Sequence, residues 1–241
     1  MSEPLFQRGS SYQLHRPDYP DSLFAWLAKQ CPQREHALDM GCGTGQASRG
    51  LEPWFQHVLG ADLSLKQLQS APPSRTQYLA SRASPLPFAN DCLDLISVAQ
   101  AFHWFDADAF FAEAGRCLRK GGLLALISYG VCEVEGLGSL IQDFHDKTLG
   151  PWWPAERDQV VAGYPEAHLD WPDCAFPASD IERQWSAGEM LGYLDTWSAL
   201  VQARKAGKDP LTPFGIALST AWGPGKRLVR WPLRVKAWHK P

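Results

Sequence analysis

A glycine-rich loop after a short apolar run is the feature that most constrains how this chain can fold. The stretch "ALDMGCGTGQ", residues 37–46, places Gly41, Gly43 and Gly45 two to six positions after Asp39. A strand that ends in such a loop and continues into a helix presents backbone N–H groups and a positive helix end to a polar or anionic ligand. Glycine is required where a Cβ would block close approach or forbid the turn's backbone angles. The alternative at this point is an ordinary tight turn.

Strand-like and helix-like segments alternate around this loop as far as Tyr129. The predicted strands, in chain order, are "HALDM", "HVLGAD", "TQYLAS", "LDLISVAQ" and "LLALISY". Residues 106–118 have apolar side chains at helical spacing, which predicts a helix, and residues 120–122 are predicted to turn the chain into the fifth strand. This alternation favours a parallel sheet covered by helices. Ligands bind to such sheets at the carboxyl ends of the strands.

The second half of the chain has a different pattern. Residues 131–180 are rich in Pro and Trp and are predicted to form helices and loops over the sheet edge. Ser186 and Glu189 have the spacing of a capping box, so a helix is predicted to begin there. The tail "LVRWPLRVKAW" alternates like a strand, and Pro232 predicts a bulge or a sheet edge within it. We expect one domain over 1–241, divided into an N-terminal lid and helix (1–34), a cofactor-binding core (35–130), a cap (131–180), and C-terminal helices with the last strand (181–241).

The composition argues against several classes of protein. A net charge of −3 over 241 residues gives no basic footprint for nucleic acid. The N-terminus lacks the apolar region of a signal peptide, and no stretch approaches the roughly 18 apolar residues of a membrane span. None of the six cysteines forms a C-x-x-C pair, so we expect reduced thiols, no metal site and a cytoplasmic location. We expect neither a nucleic-acid partner nor a membrane, and the sequence leaves the oligomeric state open.

The glycine pattern does not match the dinucleotide fingerprint G-x-G-x-x-G/A. Gln46 and Ser48 stand where the frames that start at Gly41 and Gly43 require a third small residue. An acid at the strand end also disfavours a pyrophosphate and favours a ligand that carries positive charge. Asp62 closes the second predicted strand, which is the place from which an acid binds ribose hydroxyls. An NAD-dependent oxidoreductase is therefore the weaker hypothesis.

Four segments, in this order, resemble the motifs of class I S-adenosylmethionine-dependent methyltransferases. They are "ALDMGCGTGQASRGL", "VLGADLS", "PLPFANDCLDLISVAQAFHWFD" and "CLRKGGLLALISY". "Y...RPDYP", "QAFHWFD" and "YLDTWSA" are similar to the small-molecule branch that includes trans-aconitate methyltransferases. The resemblance implies a Rossmann-like, doubly wound, mostly parallel seven-stranded sheet with helices on both faces and an added helical cap. It implies methyl transfer from S-adenosylmethionine to a small acceptor, with a carboxylate metabolite as the favoured class. A binding protein without catalysis is the alternative.

The resemblance also implies which residues hold the cofactor. The glycines lie against its methionine part, Asp39 serves its ammonium group directly or through water, and Asp62 holds the ribose. Leu63 packs on the adenine. Residues 81–84 match the adenine loop, but they lack the family's acid pair, so backbone groups are expected to serve there. The complete set of implied cofactor-binding residues is Asp39, Gly41, Gly43, Gly45, Asp62, Leu63, Arg82, Ala83, Gln100 and Trp104.

His103 and Tyr12 are the candidate catalytic residues. His103 follows the fourth strand, where the transferred methyl should point, and it is either a general base or the donor of a structural hydrogen bond. Tyr12, Arg16 and Tyr19 precede the fold and form a lid over the cofactor, with Tyr12 as its best candidate, or, as the alternative, Arg16 and Pro17 only start the first helix. An acceptor that is already a carboxylate requires no base at all.

The acceptor pocket is less well defined by the sequence. A carboxylate acceptor favours an arginine partner, for which Arg16 is the first candidate and Arg157 and Arg183 are weaker ones. The tryptophans at 152, 153 and 197 line the pocket or, as the favoured interpretation, pack the core of the added helices. His145, between two aspartates, is expected on the surface of a helix.

Overall fold

The structure is a computed structural model that describes residues 15–241. One mixed sheet organises these residues. Tyr12 lies outside this range. Strands β1 to β5 are mutually parallel in the order β3-β2-β1-β4-β5, and β8 pairs antiparallel with β5, β6 and β7. The strands are β1 His36–Met40, β2 His57–Asp62, β3 Gln77–Ala80, β4 Leu93–Ala99, β5 Leu118–Tyr129, β6 Glu133–Val134, β7 Ser179–Trp185 and β8 Arg227–His239.

Helices cover both faces of this sheet, so the predicted Rossmann-like α/β fold is confirmed. The α-helices of the described residues are α1 Asp21–Gln30, α2 Gln46–Leu51, α3 Leu65–Gln69, α4 Ala107–Cys117, α5 Gly138–Asp143, α6 Arg157–Ala162, α7 Ala187–Asp195, α8 Ser198–Lys205 and α9 Leu211–Trp222. Short 3₁₀ turns occupy Phe102–Trp104 and Gly150–Trp152, and a π-helical turn occupies Phe144–Thr148.

Three details differ from the sequence-based expectation. The sheet has eight strands within residues 15–241 rather than seven, because β6 and β7 both add to β8. Residues 120–122 are not a turn that precedes the fifth strand: they lie within β5, which runs from Leu118 through a bulge opposite β4. Pro232 forms neither a bulge nor an edge: it pairs with Asp180 of β7, and its carbonyl accepts a bond from Gly130 N where β5 ends.

The core consists of two apolar clusters on opposite faces of the sheet. Alternate strand residues enter alternate clusters, as Ala37 and Leu38 of β1 do, because successive side chains of a strand point to opposite faces. The first cluster continues into the C-terminal half through Trp197, Trp222 and Trp231, each at most 1% exposed. Much of the high tryptophan content is therefore core packing.

The strand order brings the predicted site residues to one edge of the sheet. β1 lies between β2 and β4, so the chain leaves β1 toward one side and later returns to the other. Crevices at such a reversal are the usual ligand sites of doubly wound sheets. The glycine loop follows β1, Asp62 is the last residue of β2, and Gln100 follows β4.

A buried carboxylate fastens the opposite edge of the sheet. Asp94, at the start of β4, is fully buried and accepts 2.9 Å bonds from the backbone N–H groups of Glu35 and His36. Its other oxygen lies 2.8 Å from Arg119 of β5. This single side chain therefore links the amino ends of β1, β4 and β5.

We predict that Asp94→Ala lowers the free energy of unfolding by about 3 kcal/mol, because it leaves two partly buried N–H donors without their acceptor and Arg119 without its buried partner. Urea titration followed by tryptophan fluorescence measures the change. Glu182→Ala is the matched control, since the ion pair of Glu182 with Arg230 is exposed and is worth less than about 1 kcal/mol. Equal losses in the two variants would contradict the assignment.

Candidate functional site

The glycine loop is shaped by its own neighbours as well as by any ligand. Gly41 has φ +73° and Gly45 has φ +77°, a region that favours glycine. A Cβ on Gly41 would lie 2.5 Å from the Cβ of Ala101, and one on Gly45 would overlap the hydroxyl of Tyr78. Gly43 is different, because a Cβ added there would have Gln67 Oε1, at 4.0 Å, as its nearest neighbour. The open side of the loop is therefore at Gly43.

Asp62 connects the loop to the end of β2. Its two carboxylate oxygens accept 2.8 Å bonds from Gly43 N and Ser64 N. Each oxygen of a carboxylate has a second lone pair, so the group retains capacity for hydroxyl donors. The half-buried side chain stands beside the open side of the loop, which is where the sequence places a ribose.

Asp39 is wholly buried beneath the loop. It accepts a 2.6 Å bond from Ser48 Oγ and a longer one, 3.4 Å, from Ser97 Oγ. Burial raises the pKa of this carboxyl from 3.8 to about 6, although the Ser48 bond opposes the shift. The carboxyl is thus not exposed for direct contact with a ligand in this conformation. Its interaction with the cofactor's ammonium group, directly or through water, remains a prediction.

The rim of this crevice carries unsatisfied polar atoms and an exposed apolar side chain. Leu63 is 68% exposed immediately after Asp62. Within the described part of the chain, Gln67 Oε1 and Gln100 Nε2 are buried without a hydrogen-bond partner, and Gln100 has φ +60°. Gln67 was not predicted, because it resembles an ordinary polar residue of a short helix.

The adenine-loop residues surround this crevice less closely. Ser81 N donates to Asp62 O at 3.0 Å, which keeps the segment beside β2. Arg82 is exposed, and Ala83 is partly buried against the second apolar cluster. Their backbone contribution remains a prediction.

His103 and Trp104 form the 3₁₀ turn after β4. Nδ1 of His103 lies 3.5 Å from the hydroxyl of Tyr164, and its ring is 4.5 Å from that of Trp104. Burial, with the charge of Arg157, lowers the pKa of His103 to about 4. The imidazole is therefore neutral at pH 7 and a weak proton acceptor, which suits a hydrogen-bonding role better than general base catalysis.

An aromatic cleft of about 600 Å³ opens beside Trp104. Trp104 is 43% exposed, and Trp152 and Trp153 line the same cleft. Lys205 contributes a positive charge at its wall. Trp197, by contrast, is buried in the core. Each interpretation of the tryptophans therefore holds for part of the set: Trp152 and Trp153 line a cleft, and Trp197 packs in the core.

Arg16 lies among tyrosines near the carboxyl end of β5. Its Nη1 donates to the hydroxyl of Tyr129 at 3.0 Å, and its guanidinium lies 5.5 Å from the ring centre of Tyr193. Tyr193 is fully buried, and its hydroxyl has no hydrogen-bond partner among residues 15–241. Burial raises the pKa of this phenol, so it remains a neutral donor. Tyr19 packs beside Tyr129 with ring centres 6.1 Å apart.

We call a second polar group the Arg157 cluster, after the guanidinium that lies 5.2 Å from the ring centre of Trp153. Its charge acts on the pKa values of His103, His145, Tyr164 and Tyr193. The expected surface position of His145 is wrong: the residue is only 8% exposed. The packing of two tryptophan rings against it, at 4.7 and 5.4 Å, excludes it from solvent.

Arg183 lies away from both groups. Its Nη2 donates to the backbone oxygen of Asp18 at 2.7 Å on the surface. The structure therefore brings Arg16 and Arg157 to the aromatic groups near the strand ends and leaves Arg183 outside.

The doubly wound sheet, the glycine loop and the acid at the end of β2 define the class of enzymes that bind a nucleoside cofactor at the strand ends. A family model described as "Methyltransferase domain" matches residues 38–126. A protein of Dictyostelium discoideum that is named as a methyltransferase is 31% identical over 210 residues, covering 84% of this chain and 80% of the relative. This chain belongs to the methyltransferase family, and it is an S-adenosylmethionine-dependent methyltransferase.

A solved structure and a further relative extend the comparison. The structure of a protein from Anaeromyxobacter dehalogenans, described as a type II methyltransferase, has a TM-score of 0.87 and 36% identity, covering 93% of this chain and 98% of that one. A malonyl-[acyl-carrier protein] O-methyltransferase of Dechloromonas aromatica is 36% identical over 166 residues, 63% of this chain and 62% of the relative. The fold and the cofactor class expected from the sequence are confirmed.

Two other expectations concern the chain as a whole. All six cysteines lie within the described residues and are free thiols. Across the part of the chain that the structure describes, no helix combines the length and the apolar character needed to cross a membrane.

We predict that Asp39 gives the protein a measurable pH dependence of stability. Because its folded pKa of about 6 exceeds the ordinary 3.8, the folded state binds a proton more tightly than the unfolded chain does. Its stabilising contribution is full below about pH 4 and is lost as the pH rises to about 6, a change of about 3 kcal/mol. Urea titrations of wild type and Asp39→Asn across this range measure the effect: the free energy of unfolding of wild type minus that of the variant should fall as the pH rises, because Asn does not titrate. A constant difference would contradict the raised pKa.

Proposed function

We propose that this enzyme methylates the carboxylate of a small organic acid. The crevice between the ends of β1 and β2 fits S-adenosylmethionine: an open loop at Gly43, an acid beside it and an exposed Leu63 match a methionine part, a ribose and an adenine. The bound cofactor supplies an electrophilic methyl group on a sulfonium sulfur. In the proposal Asp62 accepts bonds from the ribose hydroxyls, and Leu63 packs on the base. In the proposal Gln67 Oε1 and Gln100 Nε2 form hydrogen bonds with polar groups of the cofactor.

The acceptor is proposed to lie between Arg16 and Tyr193. The observation that carries this assignment is the fully buried Tyr193 hydroxyl, which finds no hydrogen-bond partner in residues 15–241. Leaving such a donor unsatisfied costs about 1–3 kcal/mol. A carboxylate held against the nearby Arg16 guanidinium would accept from it and would remain ionised, as a nucleophile must. These residues therefore bind and orient the acceptor.

A carboxylate acceptor also agrees with the weak basicity of His103. A carboxylate has no proton to lose before methyl transfer, so the lowered pKa of His103 is no disadvantage. In the proposal His103 helps to shape the pocket with Tyr164. Tyr12 remains a proposed lid residue.

Two likenesses support this acceptor class. The Dechloromonas aromatica relative is named for O-methylation of a malonyl group, whose free oxygen nucleophile is a carboxylate. The motifs similar to the trans-aconitate methyltransferase branch point in the same direction. Both are likenesses to other proteins, and the proposal rests on the Tyr193 and Arg16 geometry.

We predict that Asp62→Ala weakens binding of S-adenosylmethionine tenfold or more, because bonds from hydroxyls to an ionised acceptor are worth about 1.5–3 kcal/mol each. Isothermal titration calorimetry measures the affinity. The variant also loses the bonds from Gly43 N and Ser64 N, so circular dichroism must first show that it is folded. A folded variant with wild-type affinity would remove Asp62 from the cofactor site.

We predict that Tyr193→Phe leaves the protein as stable as wild type, or more stable, while kcat/KM for the acceptor falls about 10- to 100-fold, the loss expected for one bond to a charged group. The acceptor is first found by incubating the enzyme with labelled S-adenosylmethionine and pooled metabolites, and by identifying the labelled product by mass spectrometry. Unchanged affinity for S-adenosylmethionine serves as the internal control. A product methylated at nitrogen or carbon would overturn the carboxylate assignment.

A further inference from the structure

We infer that His145, fixed by Asp146, is a specificity-determining residue that accepts a hydrogen bond from an O–H or N–H group of the acceptor. This inference rests on the proposed function and narrows its substrate class. The acceptor is a small carboxylic acid that carries a second, proton-donating group, as a hydroxy acid does. The carboxylate receives the methyl group, and the donor group is recognised by the imidazole.

The orientation of the imidazole is set by hydrogen bonds. Nδ1 of His145 lies 2.6 Å from Oδ1 of Asp146, and Oδ2 of Asp146 accepts a 2.6 Å bond from Gln142 Nε2. A carboxylate only accepts, so Nδ1 must carry the proton. The backbone oxygen of His145 also accepts a 3.0 Å bond from Trp153 Nε1. Bonds at both its side chain and its backbone therefore hold this residue in the π-helical turn.

The other ring nitrogen, Nε2, is a buried hydrogen-bond acceptor. His145 is 8% exposed, and its Nε2 finds no hydrogen-bond partner anywhere between residues 15 and 241. Burial lowers the pKa of the imidazole despite the opposing bond to Asp146. In the neutral ring, with the proton fixed on Nδ1, Nε2 offers a lone pair. The group that matches it is a donor, and the described protein supplies none.

The position of His145 connects it to the proposed acceptor site. Arg157 acts electrostatically on His145 and on Tyr193, so both belong to the Arg157 cluster. The ring of Trp197 packs against both, with centres 5.4 and 5.8 Å away. His145 also packs against Trp153, which lines the aromatic cleft. His145 and Tyr193 thus contact the same ring, and in the proposal a small acid held at Tyr193 places its second group at Nε2 of His145.

A purely structural role for His145 is the competing explanation. Its ring fills space between two tryptophans, and any flat side chain would do the same. The two roles separate at Nε2, because packing does not depend on which nitrogen carries the proton. π-helical turns also occur often at functional sites, but the unpaired nitrogen is what carries the argument.

The test exchanges the proton between the two ring nitrogens. In Asp146→Asn the side-chain carbonyl faces Gln142, which donates, and the NH₂ group faces Nδ1, so the ring proton moves to Nε2. His145→Phe keeps the packing and removes Nε2. Asp143→Asn is the matched control, because Asp143 is exposed and pairs with Lys147 one turn away. Nitrogen-15 NMR of the ring, assigned by its loss in His145→Phe, reports the tautomer independently of activity.

The probes are pairs of acids that differ by one hydroxyl, namely phenyllactate with phenylpropionate, malate with succinate, and 4-hydroxybenzoate with benzoate. For the pair that wild type methylates, we expect kcat/KM to favour the hydroxy acid at least tenfold. Asp146→Asn and His145→Phe should remove this preference, while Asp143→Asn and the affinity for S-adenosylmethionine stay unchanged. If wild type and all three variants show the same preference between the two acids of a pair, the role of His145 is overturned and the proposed function is not. No methylation of any acid by wild type would instead overturn the proposed function.

Discussion

The bond from Gly43 N to the carboxylate of Asp62 is the contact on which the site depends. It joins the loop after β1 to the end of β2, and the other oxygen of Asp62 holds Ser64 at the start of α3. One side chain thus sets the spacing between the loop and the helix that carries Gln67. Because the same carboxylate retains lone pairs, the group that holds the crevice together is also the group that we propose to bind the ribose.

The parts that the sequence predicted are those determined locally. A glycine loop after an apolar run, an acid at the next strand end and a capping box at Ser186 all depend on a few adjacent residues, and the strands β1 to β5 follow from hydrophobic patterning. β6 has two residues and β7 pairs only with a distant strand, so neither leaves a local signal. The strand count was therefore wrong although the fold class was right.

The proposed acceptor side of the site was less predictable for the same reason. The burial of His145 results from Trp153 and Trp197, which belong to other elements, and the flanking aspartates suggested solvent instead. The burial of Tyr193 likewise involves Trp231 of the distant strand β8, whose ring centre lies 5.3 Å away. The sequence favours Arg16 over Arg157, yet the charge of Arg157 reaches four side chains of the cluster named after it. Charge and hydrogen-bond satisfaction are tertiary properties, and no spacing rule reveals them.

The last strand has a consequence for how the molecule is made. β8 pairs with the edge of β5 that β4 leaves free, and it also pairs with β6 and β7. The parallel strands are synthesised first, and about a hundred residues separate the end of β5 from the start of β8. Until residues 227–239 leave the exit tunnel, the long edge of β5 is open to any other chain. The nascent enzyme therefore passes through a stage in which the edge of its cofactor half is unpaired, and the arrival of β8 covers that edge.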